Sequence, residues 1–84
     1  MELTDLPNIG PILAENLRRV EITTSEELRS VGACEVWLRI RARVDGGACF
    51  HQLTALAGAE VGIPKKELPP ERKVELRAFF ERAK

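Results

Sequence analysis

The side chains that most readily bind metals or act as nucleophiles are few in this chain: Cys34, Cys49 and a single histidine, His51. A tetrahedral zinc site takes four such ligands at characteristic spacings, and a reactive thiol needs an activating neighbour. These three residues meet neither requirement, so we predict no metal, no cofactor and no enzymatic activity. We expect His51 to face solvent or cap a helix, and both cysteines to be small, buried and reduced.

Anion binding is the chemistry that the turn Leu6-Pro7-Asn8-Ile9-Gly10-Pro11 indicates. Proline suits the first turn of a helix, and the unpaired N–H groups at a helix N-terminus attract phosphate. The candidate phosphate or DNA contacts are Asn8, Gly10, Ile12, Leu13, Arg18 and Arg19. The alternative is a purely structural turn, for which we expect Gly10 to supply a special backbone conformation or a close approach.

Three residues farther along the chain are candidate contacts for a protein partner. Trp37 is the only tryptophan, and Arg39 and Arg43 lie four residues apart and so share one face of a helix. Each has a structural alternative: Trp37 falls on an apolar stripe with Ile40 and Val44, which also fits the core, and arginines commonly form a solvated face.

Helices must position all of these residues, because apolar side chains recur at helical spacing and no strand pattern competes. The second helix starts with a capping box formed by Thr24 and Glu27 and ends at Gly32. The other predicted helices run from Pro11 to Val20, from Ala33 to Val44, from about Ala48 to Glu60, and onward from Pro70. We therefore expect an all-α fold, a compact array of about five short helices of helix-hairpin-helix or SAM-domain-like type.

The turn resembles the hairpin of a helix-hairpin-helix motif, although Asn8 stands where glycine is usual and only Met1 to Asp5 remain for the motif's first helix. The whole order of segments, from about Leu3 to Phe79, is similar to the C-terminal domain of the TfoX/Sxy regulators of bacterial natural transformation. The motifs that carry this resemblance are the turn itself, Ile22-Thr23-Thr24-Ser25-Glu26-Glu27-Leu28, Gly32-Ala33, Leu53-Thr54-Ala55-Leu56 with Gly58-Ala59, and Glu67-Leu68-Pro69. The resemblance implies a regulatory domain without catalysis.

Composition limits the partners. The chain has 84 residues, of which 44% are hydrophobic, and its thirteen basic residues balance thirteen acidic ones. We expect a single domain over residues 1–84, in the cytoplasm and without a membrane anchor. Zero net charge disfavours strong attraction to nucleic acid. The favoured function is therefore binding of a protein partner or self-association, and the alternative is weak, sequence-independent DNA binding through backbone N–H groups.

Overall fold

The computed structural model describes residues 2–83, and their fold is all-α, as predicted. The five helices are α1 (Pro11–Arg19), α2 (Ser25–Val31), α3 (Ala33–Arg43), α4 (Phe50–Val61) and α5 (Pro70–Ala83). Two short 3-10 turns, Leu3–Asp5 and Lys65–Glu67, lie before α1 and between α4 and α5. No helix of residues 2–83 has both the length and the apolar character needed to cross a membrane.

Helix α4 forms the centre of the fold. Every residue from 53 to 59 is buried, and α4 packs against α2, α3, α5 and the second 3-10 turn. Three successive small residues, Ala57, Gly58 and Ala59, let neighbouring segments approach the helix backbone closely. The other helices contribute one apolar face each to the same core, which includes Leu17, Leu28 and Ile40. Tertiary packing of this kind stabilises helices that are individually short.

The ends of α2 confirm the predicted signals. The Thr24 hydroxyl accepts a hydrogen bond from the Glu27 N–H at 3.1 Å, and the Glu27 carboxylate accepts one from the Thr24 N–H at 3.1 Å. Hydrogen bonds from Thr23 hold the pKa of Glu27 below its ordinary value. Gly32 ends α2 with φ of 93° and begins α3 directly. The first N–H of α3, that of Ala33, donates to the Glu60 carboxylate of α4 at 2.7 Å.

The start of α4 differs from the prediction by two residues. The Asp45 carboxylate accepts a hydrogen bond from the Gly47 N–H, and the turn that follows leaves Cys49 extended, as the residue before the helix. Cys49 is exposed, so the expectation that both cysteines are buried is wrong for this one. Cys34 is partly buried, and desolvation raises the pKa of its thiol.

The segment before the hairpin holds no full helix in the described residues. Of the residues that remain for the first helix of a helix-hairpin-helix motif, Leu3–Asp5 form one 3-10 turn that buries Leu3, and Met1 lies outside the described residues. The hairpin is therefore anchored by apolar burial of Leu3, Leu6 and Ile9 in the core.

Candidate binding site at the hairpin

The hairpin turn places its unusual backbone conformation at Asn8. Asn8 has φ of 71°, in the left-handed region that asparagine tolerates better than most residues. Gly10 is extended, with φ of −89°, and a Cβ atom added there meets nothing within 4 Å. The expectation that Gly10 is conformationally required is therefore wrong.

The side chain of Asn8 ties the hairpin to two distant segments. Its Nδ2 donates to the carbonyl oxygens of Ala55, at 3.3 Å, and Ile63, at 3.1 Å. Its Oδ1 accepts a hydrogen bond from the Lys65 N–H at 3.0 Å. This amide is committed to backbone groups of the chain itself, so Asn8 as a direct phosphate contact is wrong. We call these three hydrogen bonds the Asn8 clasp.

Gly58 of α4 leaves the space that the Asn8 clasp occupies. A Cβ atom at this position lies 2.6 Å from Asn8 Nδ2 and 2.7 Å from the Ile63 carbonyl oxygen. Both distances are shorter than ordinary van der Waals contact. Glycine is therefore required here for close approach of the hairpin and the connector to α4.

A shallow depression of about 380 Å³ opens where the hairpin meets α4. We call it the hairpin depression; it is lined by Gly10, Pro11, Ile12, Leu13, His51, Gln52, Ala55 and Lys65. No acidic residue of the described chain lines it, whereas one ammonium and one imidazole group do. The N–H groups of Ile12 and Leu13 belong to the first turn of α1, which has no side-chain cap, so they have no acceptor within the helix.

Two further groups at this depression bear on what it can bind. Ile12 is 80% exposed at its edge, which gives a binding partner an apolar contact beside the N–H donors. The side-chain oxygen of Gln52 is buried and has no hydrogen-bond partner within residues 2–83. The depression thus offers donors and positive charge for an anion, and an apolar contact; the Gln52 oxygen is covered by the protein and is not open to a ligand. None of these groups forms a nucleophile and base pair.

The arginines predicted to help at the hairpin lie outside the hairpin depression. Arg18 and Arg19 occupy the C-terminal end of α1, and both pair with Glu15, at 3.4 Å and 3.7 Å. Arg19 lines a neighbouring depression with Pro11 and Ile12. Of the residues predicted to contact phosphate, the structure brings Gly10, Ile12 and Leu13 together in the hairpin depression and leaves both arginines out of it.

The residues predicted to contact a partner form no common surface with the hairpin. Trp37 is only 1% exposed, and its indole N–H donates to the Cys49 carbonyl oxygen at 3.3 Å. The core alternative is therefore the one that the structure shows, and Trp37 presents no surface to a partner. Arg39 pairs with Glu35 on the solvated side of α3 at 3.2 Å, and Arg43 is exposed.

Known proteins resemble this chain in both sequence and fold. The TfoX C-terminal domain family matches residues 1–80. This chain belongs to the TfoX C-terminal domain family. A crystal structure of an uncharacterized protein from Listeria monocytogenes, in a triclinic form, is 40% identical, with a TM-score of 0.91 over 94% of this chain and 89% of that one.

A second solved structure, a protein of unknown function from Listeria monocytogenes in a tetragonal form, is 38% identical. Its TM-score is 0.95, over 99% of this chain and 100% of that one. No curated protein matches the chain. The family and the arrangement of helices in this TfoX C-terminal domain are therefore shown, whereas its partner is a matter for proposal.

Sequence analysis missed the residues that complete the hairpin depression. Lys65, His51 and Gln52 lie far along the chain from the turn, and the Asn8 clasp brings Lys65 beside it. Their local sequence carries no binding motif. The only available signal is the exposed lysine pair at Lys65 and Lys66, which follows a Gly62-Ile63-Pro64 break.

A second surface of this TfoX C-terminal domain is apolar. The α4–α5 groove, of about 440 Å³, is lined by Ala57, Val61, Ile63, Leu68, Pro69 and Arg72. Val61 is 61% exposed at its edge. Unlike the hairpin depression, this groove has a single charged side chain, that of Arg72, and Arg72 is paired with Glu75 at 3.5 Å.

Proposed function

We propose that this domain is a non-enzymatic regulatory interaction module that binds a protein partner, and that an acidic segment of the partner enters the hairpin depression. The observation that carries the proposal is the set of lining residues. Free N–H groups of Ile12 and Leu13 lie beside Lys65 and His51, and no acidic side chain of the described residues lines this depression. Glu15 lines the neighbouring depression, where it pairs with Arg18 and Arg19. The lining residues of the hairpin depression favour a carboxylate or a phosphate.

Two details favour a protein over nucleic acid. Exposed Ile12 offers apolar contact, which a peptide side chain uses better than a phosphate backbone does. In addition, a nucleic-acid surface commonly carries several cations along the path of the backbone, whereas this depression has one lysine.

The setting that we propose is natural transformation or a related bacterial process, since the regulators that give the family its name act there. A regulatory domain of this kind works by holding its partner, so its contacts need not be strong individually. We expect a short acidic peptide to bind with a dissociation constant on the order of 1 mM, and a folded partner to bind more tightly.

The test uses backbone amide NMR spectra of the chain titrated with a short peptide of alternating glutamate and leucine. Its matched control is the same peptide with glutamine in place of glutamate. We expect the acidic peptide to shift the amide signals of Ile12, Leu13 and Lys65, and the glutamine peptide to shift them far less. Lys65→Ala should weaken binding roughly two- to fivefold, because it removes one exposed ion pair.

Lys66→Ala is the matched protein variant, since Lys66 is adjacent in sequence but does not line the depression. It should leave peptide affinity unchanged. Equal binding of both peptides, or shifts confined to the α4–α5 groove, would contradict the proposal. Concentration-dependent shifts of the same signals without any peptide would indicate self-association instead.

The second candidate function is weak, sequence-independent binding of DNA phosphates. The free N–H groups at the start of α1, with Lys65 beside them, are the observation that favours it. We expect a dissociation constant on the order of 10⁻⁴ M or weaker, with a shallow salt dependence, because few charges take part. Duplex DNA that shifts the Ile12 and Leu13 signals, when the acidic peptide shifts neither, would establish this function in place of the first.

A further inference from the structure

We propose that Asn8 is a positioning residue for the hairpin depression: its side chain holds Lys65 beside the start of α1, and so couples the connector between α4 and α5 to binding. This inference rests on the proposed function. The carboxamide of Asn8 acts through Lys65 and not on the ligand directly, because all of its observed hydrogen bonds run to backbone atoms of Ala55, Ile63 and Lys65.

Hydrogen bonds place the exposed middle of the connector. Residues 64–67 are exposed, whereas Ile63 before them is partly buried and Leu68 after them is buried in the core. The Ile63 N–H donates to the Gly58 carbonyl oxygen at 2.9 Å, which anchors the start of the connector to α4. The Lys65 N–H donates to Asn8, and this bond links the lysine directly to the hairpin.

Position 8 makes two demands that few residues satisfy together. Its φ of 71° favours glycine, asparagine or aspartate. Its hydrogen bonds require a donor toward Ala55 and Ile63 and an acceptor toward Lys65 in one short side chain. Only a carboxamide supplies both. Glycine meets the conformational demand alone, and aspartate meets it while keeping the acceptor.

These differences define the experiment. Asn8→Gly retains the backbone conformation and removes all three hydrogen bonds, whereas Asn8→Asp retains the acceptor for Lys65. The affinity of each protein for the alternating glutamate and leucine peptide is measured with and without Lys65→Ala. We expect Lys65→Ala to weaken binding roughly two- to fivefold in the wild type and to have no further effect in Asn8→Gly.

The Asn8→Asp protein should bind more weakly than the wild type, because its carboxylate repels the peptide and also faces the carbonyl oxygens of Ala55 and Ile63. Thr24→Ala serves as the control for loss of stability, since it weakens the fold at α2, away from the depression. In the Thr24→Ala protein, Lys65→Ala should keep its full effect on affinity. If the effect is lost only in Asn8→Gly, the cause is the missing hydrogen bonds and not a general loss of stability.

The outcomes separate this inference from the proposed function. If Lys65→Ala weakens peptide binding by the same factor in the wild type and in Asn8→Gly, the role of Asn8 is overturned and the proposed function still stands. Absence of peptide binding to the wild type would overturn both. If Asn8→Gly proves too unstable to measure, hydrogen exchange of the wild-type Lys65 amide decides, because exchange as fast as that of the adjacent Lys66 amide would show that Asn8 does not hold Lys65 and would contradict the proposal.

Discussion

Two peripheral segments are attached to the centre of the fold by different means. The hairpin and the connector are joined to α4 by the Asn8 clasp, whose hydrogen bonds add to the apolar burial of Leu3, Leu6 and Ile9. Helix α5 is attached to both α3 and α4 by aromatic packing: the ring of Trp37 on α3 lies 6.0 Å from that of Phe79 and 5.6 Å from that of Phe80, and Phe80 lies 5.5 Å from Phe50 on α4.

The two attachments leave different surfaces behind. The aromatic rings cover one another's apolar surface, and the Arg77 guanidinium covers a further face of Phe50, 4.0 Å from the ring centre. The clasp consumes only the polar atoms of Asn8, so N–H donors and exposed Ile12 beside it stay open. We therefore propose that binding takes place where the attachment is polar, and we expect most of the stabilisation where it is aromatic.

The largest effect on this comparison is expected from Trp37→Ala. Removing a fully buried tryptophan should lower the free energy of unfolding by about 3–5 kcal/mol, through loss of apolar burial and the cavity that remains. Urea unfolding followed by circular dichroism measures it. Leu38→Ala, at a partly buried neighbour, is the control. A loss below about 1 kcal/mol would show that the aromatic attachment does not dominate stability.

Gly58→Ala tests the polar attachment. The added Cβ atom meets Asn8 Nδ2 and the Ile63 carbonyl oxygen at distances that force a shift, so we expect a loss of about 1–3 kcal/mol. Gly46→Ala is the matched control, because a Cβ atom there meets nothing. The variant should also shift the Lys65 amide signal. An unchanged thermal midpoint would mean that the hairpin approaches α4 less closely than described.

A smaller loss is expected from Arg77→Ala. The guanidinium lies over the ring of Phe50 at an exposed edge of the aromatic attachment, where such an interaction contributes about 0.5–1 kcal/mol. Arg43→Ala, an exposed arginine on α3, is the control and should have a smaller effect. Equal losses in the two variants would show that Arg77 acts as an ordinary solvated side chain.

The smallest effect is expected from Gly10→Ala. Its backbone is extended and its surroundings are open, so the change should alter stability by no more than about 0.5 kcal/mol. Alanine is slightly poorer than glycine before a helix, and its reduced freedom in the unfolded chain offsets this. A large loss of stability on Gly10→Ala would show that the hairpin requires a special backbone conformation at Gly10 and not at Asn8.

The features that sequence analysis predicted correctly are those set by neighbouring residues. The capping box of Thr24 and Glu27 and the proline at the start of α1 act within one helical turn, so their positions in the chain suffice to locate them. The stripe carrying Trp37 also follows from local spacing, although spacing alone left open whether its ring is buried in the core or available to a partner.

The candidate site was predicted only in part, because it depends on contacts between residues far apart in the chain. The first turn of α1 was identified from its own sequence, but Lys65 reaches it through a bond that spans 57 positions. Arg18 and Arg19 are near the turn in sequence, yet neither lines the hairpin depression, and Glu15 pairs with both. Proximity along the chain was therefore not enough to place them in the site.

The Glu60 carboxylate at the start of α3 has a consequence for the start of α1. It shows this protein already using an acidic side chain, presented by one helix, as an internal ligand for the first N–H of another, at 2.7 Å. A partner helix that carries a glutamate would repeat this arrangement in trans at Ile12 and Leu13.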